Sequence, residues 1–249
     1  LGGCHCDAAK AVAHEPAGPL PRARCAARGA GDGSVSPRMI VVGAGMQAEL
    51  VQFYFGQLGW REIDAFVLDP EYLRDETFLG RPVMDFAEAR RRYPPATHGL
   101  FVAIGMLATA ARKRWYLAAR EAGYELPSFV HRSAVVSENV AVGAGTLIKE
   151  QVCVAPFARL GDNLVLGSQC CISHHTSVGD HSFVAPAATV AGGVEIGECC
   201  FIGAGAVVRD RVRIGAGCAI GASSVIMADC APGGLYRPAR TERTRDLKG

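Results

Sequence analysis

The sequence predicts a small Rossmann-like α/β domain followed by a parallel β-helix, a chain wound into a three-walled tube. Three observations predict it. An aliphatic residue recurs at every sixth position over the second half of the chain. Glycine and small side chains fall at fixed offsets from those aliphatics. Upstream, short apolar strand signals alternate with helical ones, and the first strand runs into a glycine turn.

The period is the strongest of the three. Every sixth residue from Val130 to Ile226, seventeen positions in all, is Val, Ile or Leu. Short internal repeats of fixed length are the mark of a solenoid, in which each unit buries its apolar face only against its neighbours. Six extended residues reach about 20 Å, enough for one side of a prism, and three sides give a coil of about 18 residues. Coils then stack at about 4.8 Å, the spacing of hydrogen-bonded strands. The residue after the aliphatic is often glycine, as at Gly143, Gly161, Gly167, Gly179 and Gly203. Four residues after it come compact side chains such as Thr146, Cys170, Thr176, Ser182, Cys200 and Cys218, which suit a cramped interior beside the aliphatic ladders. On this reading Cys170, Cys200, Cys218 and Cys230 are packing groups, because a free cysteine behaves as a small hydrophobe.

Ahead of the repeat, Met39–Val42 reads as a short buried strand turned by Gly43-Ala44-Gly45 into a helix from Met46 to about Leu58. Ala65–Leu68 and Leu100–Ile104 read as further strands, and Leu107–Ala122 as an amphipathic helix with its basic residues outward. Strands alternating with helices imply a parallel sheet. The expected organisation is a disordered leader over 1–38, a Rossmann-like domain over 39–127, the β-helix over 128–230 and a tail over 231–249. The leader is rich in Ala, Gly, Pro and Arg and lacks any apolar core of a signal peptide. Met39 stands at the head of the first strand, so the natural start is expected there. Cys4-His5-Cys6 lacks the second ligand pair that a zinc site needs.

Bulk properties exclude several classes. A net charge of +2 over 249 residues does not announce a nucleic acid or an anionic membrane as partner. No run of about 18 apolar residues is present to span a bilayer. Ten cysteines in a chain of this length, with no signal peptide, suggest a reducing cytoplasm rather than a disulfide scaffold.

The aliphatic-Gly-x-x-small-x hexapeptide resembles the repeat of left-handed β-helix acyltransferases, and that resemblance implies the hand, which the period alone does not. The Val-Val-Gly-Ala-Gly turn at 41–45, the Phe-Val-Ala-Ile-Gly strand end at 101–105 and Val130-His131-Arg132-Ser133-Ala134 add to it. Together they resemble the sialic-acid O-acetyltransferase-like and nucleotide-amino-sugar N-acetyltransferases, from Met39 to about Ala239. The resemblance implies acetyl transfer from acetyl-CoA to an amine or hydroxyl of a nucleotide-linked sugar, in a homotrimer with no metal. It implies that the N-terminal domain holds the acceptor at Gly45, Met46, Gln47, Asp69 and Gly105. Relatives carry Gly-His where this chain has Met46-Gln47. CoA contacts are implied at Phe183, Ala204 and Ala222, and the tail arginines Arg237, Arg240 and Arg243 would either meet its phosphates or stay solvated.

Ile172-Ser173-His174-His175-Thr176-Ser177-Val178-Gly179 matches the family stretch that bears the catalytic histidine, and the match falls on His174. His174 lies two residues after an inward aliphatic, so it should emerge at an edge of the prism, with Gly192 in the same slot one coil later and Pro156 one coil earlier. An imidazole with an ordinary pKa near 6.5 is largely neutral at pH 7 and can take a proton from an attacking amine or hydroxyl. The resemblance also implies the backbone N–H of Gly192 as an oxyanion donor. Where relatives place an acid next to the catalytic histidine, this chain has His175, which leaves the orienting group open. Three alternatives stand beside this reading. One is a zinc carbonic anhydrase built on His174, His175 and His181, another a dehydrogenase read from the glycine turn, and the third a β-helix scaffold without chemistry.

Overall fold

The structure, a computed structural model, describes residues 38–57, 59–105 and 108–238. The 1–37 leader with Cys4-His5-Cys6, Leu58, Leu107 and the tail arginines Arg240 and Arg243 lie outside the described residues.

The N-terminal domain is built on β1 (Arg38–Val42), flanked in parallel by β2 (Glu62–Val67) and β5 (Gly99–Val102). β4 (Arg81–Met84) extends the parallel sheet beyond β2, and the short β3 (Thr77–Phe78) closes that edge antiparallel, giving the order β3-β4-β2-β1-β5. Helices α1 (Met46–Gln57), α2 (Phe86–Arg92) and α3 (Thr109–Glu121) cover it. Alternation along β1 assigns the two faces. Met39 and Val41 join one core with α1, and Ile40 and Val42 join the other with Trp115, Tyr116 and Ala119 of α3. Gly43 is required at its turn: φ is +112° and an added Cβ would lie 2.6 Å from the carbonyl oxygen of Ala103.

From Phe129 the chain winds into a three-walled parallel β-helix. The first wall has seven strands, Phe129–Val130 through Leu235–Tyr236, the second six, Val135–Val136 through Val225–Ile226, and the third four, Arg159–Leu160 through Arg213–Ile214. Partners lie one coil apart, as in Val165 with Phe183 and Ile172 with Val190. The hydrogen-bonded strands are two residues long rather than six, because a turn occupies most of each side. The aliphatics fill the tube in one continuous core with Cys170, Cys200, Cys218 and Cys230 among them. Coiling continues past Cys230, since Leu235–Tyr236 pairs with Ala219–Ile220.

The glycines after the aliphatics answer to packing between coils. A Cβ on Gly143 would sit 2.2 Å from the carbonyl oxygen of Gly161, and one on Gly179 2.6 Å from the amide of Glu198. The left-handed turn residues fall two positions later, among them Phe157, Asn163, His175 and His181.

The three outer faces differ, and the difference positions everything else. The first wall presents Phe129, Leu147, Val165 and Phe183, which are buried with Val51, Tyr54 and Phe55 of α1. Tyr54 stacks on Phe129 with ring centres 5.6 Å apart. The third wall presents Arg159, Ser177, Glu195 and Arg213 and stays polar. The second presents Val135, Cys153, Cys171, Thr189, Val207 and Val225, apolar or weakly polar and left without cover by the described residues.

One expectation about α3 is corrected. Its basic residues do not all point outward, because Arg112 is fully buried. Its Nη2 donates to the carbonyls of Asn163, His181 and Ser182 at 2.7, 2.8 and 3.3 Å. Beside it the Tyr116 hydroxyl donates to Asp162 at 2.8 Å, and half-buried Lys113 pairs with Glu198. These contacts pin α3 to the corner between the third and first walls.

Candidate active site

His174 and His175 occupy the turn between the second and third walls, one step after the strand Cys171–Ile172. Inward Ile172 and Thr176 bracket the turn, and the Thr176 hydroxyl donates to the carbonyl of Ala191 in the next coil at 2.9 Å. The backbone is held from both sides. The amide of Gly193 donates to the carbonyl of His174 at 2.9 Å, and the amide of His175 donates to that of Pro156 at 3.3 Å. Both imidazoles are exposed at the prism edge.

The His174 ring lies directly over Gly192. A Cβ built on that glycine would be 2.7 Å from Cε1 and 2.8 Å from Nε2 of His174, closer than real contacts allow. Its Nδ1 is 3.1 Å from Nδ1 of His175. One of the two must carry the proton and the other a lone pair. His175 has φ +59° and packs its ring on exposed Phe157, with centres 4.9 Å apart and planes 31° apart. His181 is elsewhere: buried, it faces Asn163 Nδ2 at 3.0 Å and packs beside Tyr116. Burial lowers its pKa. Among the described residues no three His, Cys, Asp or Glu side chains converge as metal ligands would.

A family description, bacterial transferase hexapeptide (six repeats), matches residues 175–210 and 193–228. No curated protein sequence matches the chain. Among solved structures, PerB from Caulobacter crescentus in complex with CoA and GDP-perosamine superposes with a TM-score of 0.72 at 30% identity, covering 80% of this chain and 93% of that one. The chain belongs to the hexapeptide-repeat sugar acetyltransferases. The acetyltransferase domain of PglB from Neisseria gonorrhoeae FA1090 is similar at 25% identity, with a TM-score of 0.74 over 82% of this chain and 97% of that one. A structure of that domain in complex with acetyl coenzyme A matches to the same extent at 26% identity. The hexapeptide acetyltransferase described here is thus an acyltransferase with a left-handed β-helix, as its repeat implied.

The acceptor residues inferred from resemblance gather at the carboxyl ends of the N-terminal strands. Gly45 and Met46 are exposed and Gln47 half-buried where β1 meets α1, and exposed Gly105 follows β5. Asp69, just after β2, forms a bidentate pair with Arg114 of α3. That is the edge at which open α/β sheets bind ligands.

The CoA set divides. Ala204 and Ala222 are exposed and share one column at the corner between the first and second walls. Phe183 does not belong with them. Its side chain is 4% exposed, packed on Phe201 and buried in the core shared with α1, so the N-terminal domain closes it off from any groove. The sequence reading missed Phe157 against His175 and the Arg112 clamp. Phe157 carried a signal, since an aromatic one coil below His175 occupies the same turn slot; the burial of Arg112 carried none.

Proposed function

We propose that this acetyltransferase transfers the acetyl group of acetyl-CoA to an amine or hydroxyl of a nucleotide-linked sugar by direct attack, with His174 as general base. The placement of the His174 imidazole over Gly192 carries the reading. A side-chain-free surface beside Nε2 leaves room for a thioester, and a basic nitrogen stands at the edge where it would lie. When the Nδ1–H of His174 donates to Nδ1 of His175, Nε2 keeps its lone pair for the acceptor proton. His175 then does as a neutral acceptor what a carboxylate does beside other catalytic histidines. As the acceptor attacks the thioester carbonyl, Nε2 takes its proton, the Gly192 amide steadies the oxyanion, and the CoA thiolate leaves. No acyl-enzyme is needed.

PerB, with GDP-perosamine bound, favours an amino sugar as acceptor. Gly45, Met46, Gln47, Asp69 and Gly105, gathered at one edge of the sheet, would receive it, and Ala204 and Ala222 would flank the pantetheine. His174 and the two alanines lie on different edges of the prism, both bordering the uncovered second wall. A homotrimer with that wall facing the threefold axis would set the His174 edge of one copy against the alanine edge of the next, forming one groove. No described helix is long and apolar enough to cross a membrane, and the described cysteines are free. Both fit an enzyme of the cytoplasm.

The test is CoA release measured against a panel of UDP-, GDP-, dTDP- and CMP-linked amino sugars and their hydroxy counterparts. Turnover is expected with an amino sugar on one nucleotide. Acetyl-CoA hydrolysis unaffected by every acceptor would refute the reading, and absence of CoA binding would favour a scaffold.

A further inference from the structure

The corner between the first and second walls changes character along its length. From the coil after that of His174 toward the C-terminal end, the two residues following each first-wall aliphatic are only Ala, Gly or Pro, with Ala204 and Ala222 in the outer column. In the coils before that of His174 the same two columns carry His131, Arg132, Lys149 and Glu150. Lys149 is the unusual one. It follows the first-wall strand Leu147–Ile148, its amide donates to the carbonyl of Leu166 at 3.0 Å, and the residue is only 9% exposed. No described residue forms a hydrogen bond or an ion pair with its ammonium. Glu150, next in the chain, accepts instead from Ser168 Oγ at 2.7 Å. Burial lowers the Lys149 pKa, and the charge of Glu150 offsets this only in part. A buried cation without a counter-charge is costly, and such groups cluster where a ligand completes them. In the coil above, Gly167 adds no side chain to the column, and a Cβ there would lie 2.5 Å from the Pro186 nitrogen.

We propose that Lys149 binds the phosphate groups of the nucleotide-linked acceptor, in the groove where that acceptor meets His174 of the neighbouring copy. The inference rests on the acetyl-transfer reading and its trimer of side-by-side tubes. Rotation about the threefold axis leaves every coil at its own height, so Ser168 of one copy comes nearly level with His174 of the next. Lys149 then stands about one coil lower, about 5–7 Å below that histidine. Ordinary bond lengths put an amine and the anomeric phosphorus about 6–8 Å apart across a hexose ring. An acceptor with its amine at His174 therefore brings its phosphates to the height of the ammonium.

The phosphates of CoA do not fit the same place. The pantetheine arm is about as long as four extended residues, about 15 Å, and it runs the other way, along the uncharged half past Ala204 and Ala222. Helix α1 borders the charged half, with the Tyr54 ring centre 5.9 Å from that of His131, and it bears Met46 and Gln47 at its head. Exposed Arg132 adds a second positive charge to this end of the groove. One corner thus offers a smooth, neutral track to one substrate and a desolvated cation to the other.

The test measures equilibrium binding of UDP, GDP, dTDP, their parent nucleosides and CoA to the full-length protein, to Lys149→Met and to Lys149→Gln. Both variants remove the charge at similar volume, and loss of a buried unpaired charge does not threaten folding. One nucleoside diphosphate is expected to bind the parent at least about 10-fold more tightly than its nucleoside. Each variant is expected to lose about 10- to 100-fold of that affinity, the effect of one hydrogen bond to a charged group, with CoA affinity unchanged. The proposal is overturned if a variant with parental CoA affinity also keeps parental affinity for the diphosphate. It is overturned too if the variants lose affinity for CoA at an unchanged melting temperature, or if no diphosphate binds the parent. CoA binding by the parent separates the two readings: it persists if only the Lys149 site is wrong and is absent if acetyl transfer is.

Discussion

The imidazole of His174 and the backbone of Gly192 stack so closely that no side chain fits at position 192. An added methyl would lie 2.7 Å from Cε1. The relation is between a side chain and the coil above it, so a change to the glycine acts on the histidine without touching the tube's interior. Gly192→Ala should displace the ring by about an ångström and lower kcat about 100-fold, since misplacement on that scale costs that much. Thermal unfolding should shift little. Kinetics and a melt of the same preparation check both halves.

His175 should act through His174. Its left-handed backbone suits asparagine, and the side-chain oxygen of Asn can accept the Nδ1–H of His174. His175→Asn is expected to stay within a few-fold of the parent. His175→Ala should lose about 10-fold or more in kcat with KM for acetyl-CoA unchanged, the general-acid-base contribution being partly forfeited. Equal losses in both variants would mean that His175 only maintains the turn.

Arg112 offers a stability test. Its Nη2 meets three carbonyls, while Nε and the other terminal nitrogen are buried without partners, and burial lowers its pKa to about 10. Replacing it removes charge-assisted bonds but also relieves the cost of burying the charge. Each bond to a charged group contributes about 1.5–3 kcal/mol, so the net loss in Arg112→Met should be about 1–3 kcal/mol in a urea titration.

Asp64 gives the pH dependence. Its carboxylate, buried in the N-terminal sheet, accepts from Arg38 Nε at 2.6 Å and faces His98 Nε2 at 3.0 Å. The Arg38 hydrogen bond, helped by His98, holds its pKa below the ordinary value although burial opposes this. A depressed carboxyl pKa contributes stability that is complete above the unfolded value of about 3.9 and is lost as pH falls through the folded one. The parent's melting temperature should therefore drop more steeply than that of Asp64→Asn below about pH 4. Parallel slopes would contradict the assignment.

Much of this was legible in the residues. The period from Val130 to Ile226 contained the tube, its interior and the cysteines within it, because burial on one face at fixed spacing is a local property. The same arithmetic placed Gly192 over His174. Pairings between distant segments were not legible. Nothing at Arg112 distinguishes it from Lys113 beside it, and Phe183 looks like any outward repeat residue until α1 is laid across it. The short β3, β4 and α2 were passed over, since strands of two and four residues carry too little periodicity to stand out. His175 was visible as a departure, but its pairing with His174 depends on ring geometry that spacing does not specify.

The most direct test is the steady-state rate of CoA release by His174→Ala with the preferred acceptor. Loss of a general base predicts a fall in kcat of about 100- to 10,000-fold, with KM for acetyl-CoA nearly unchanged. An unaltered rate in His174→Ala, with activity abolished in His175→Ala, would contradict the account.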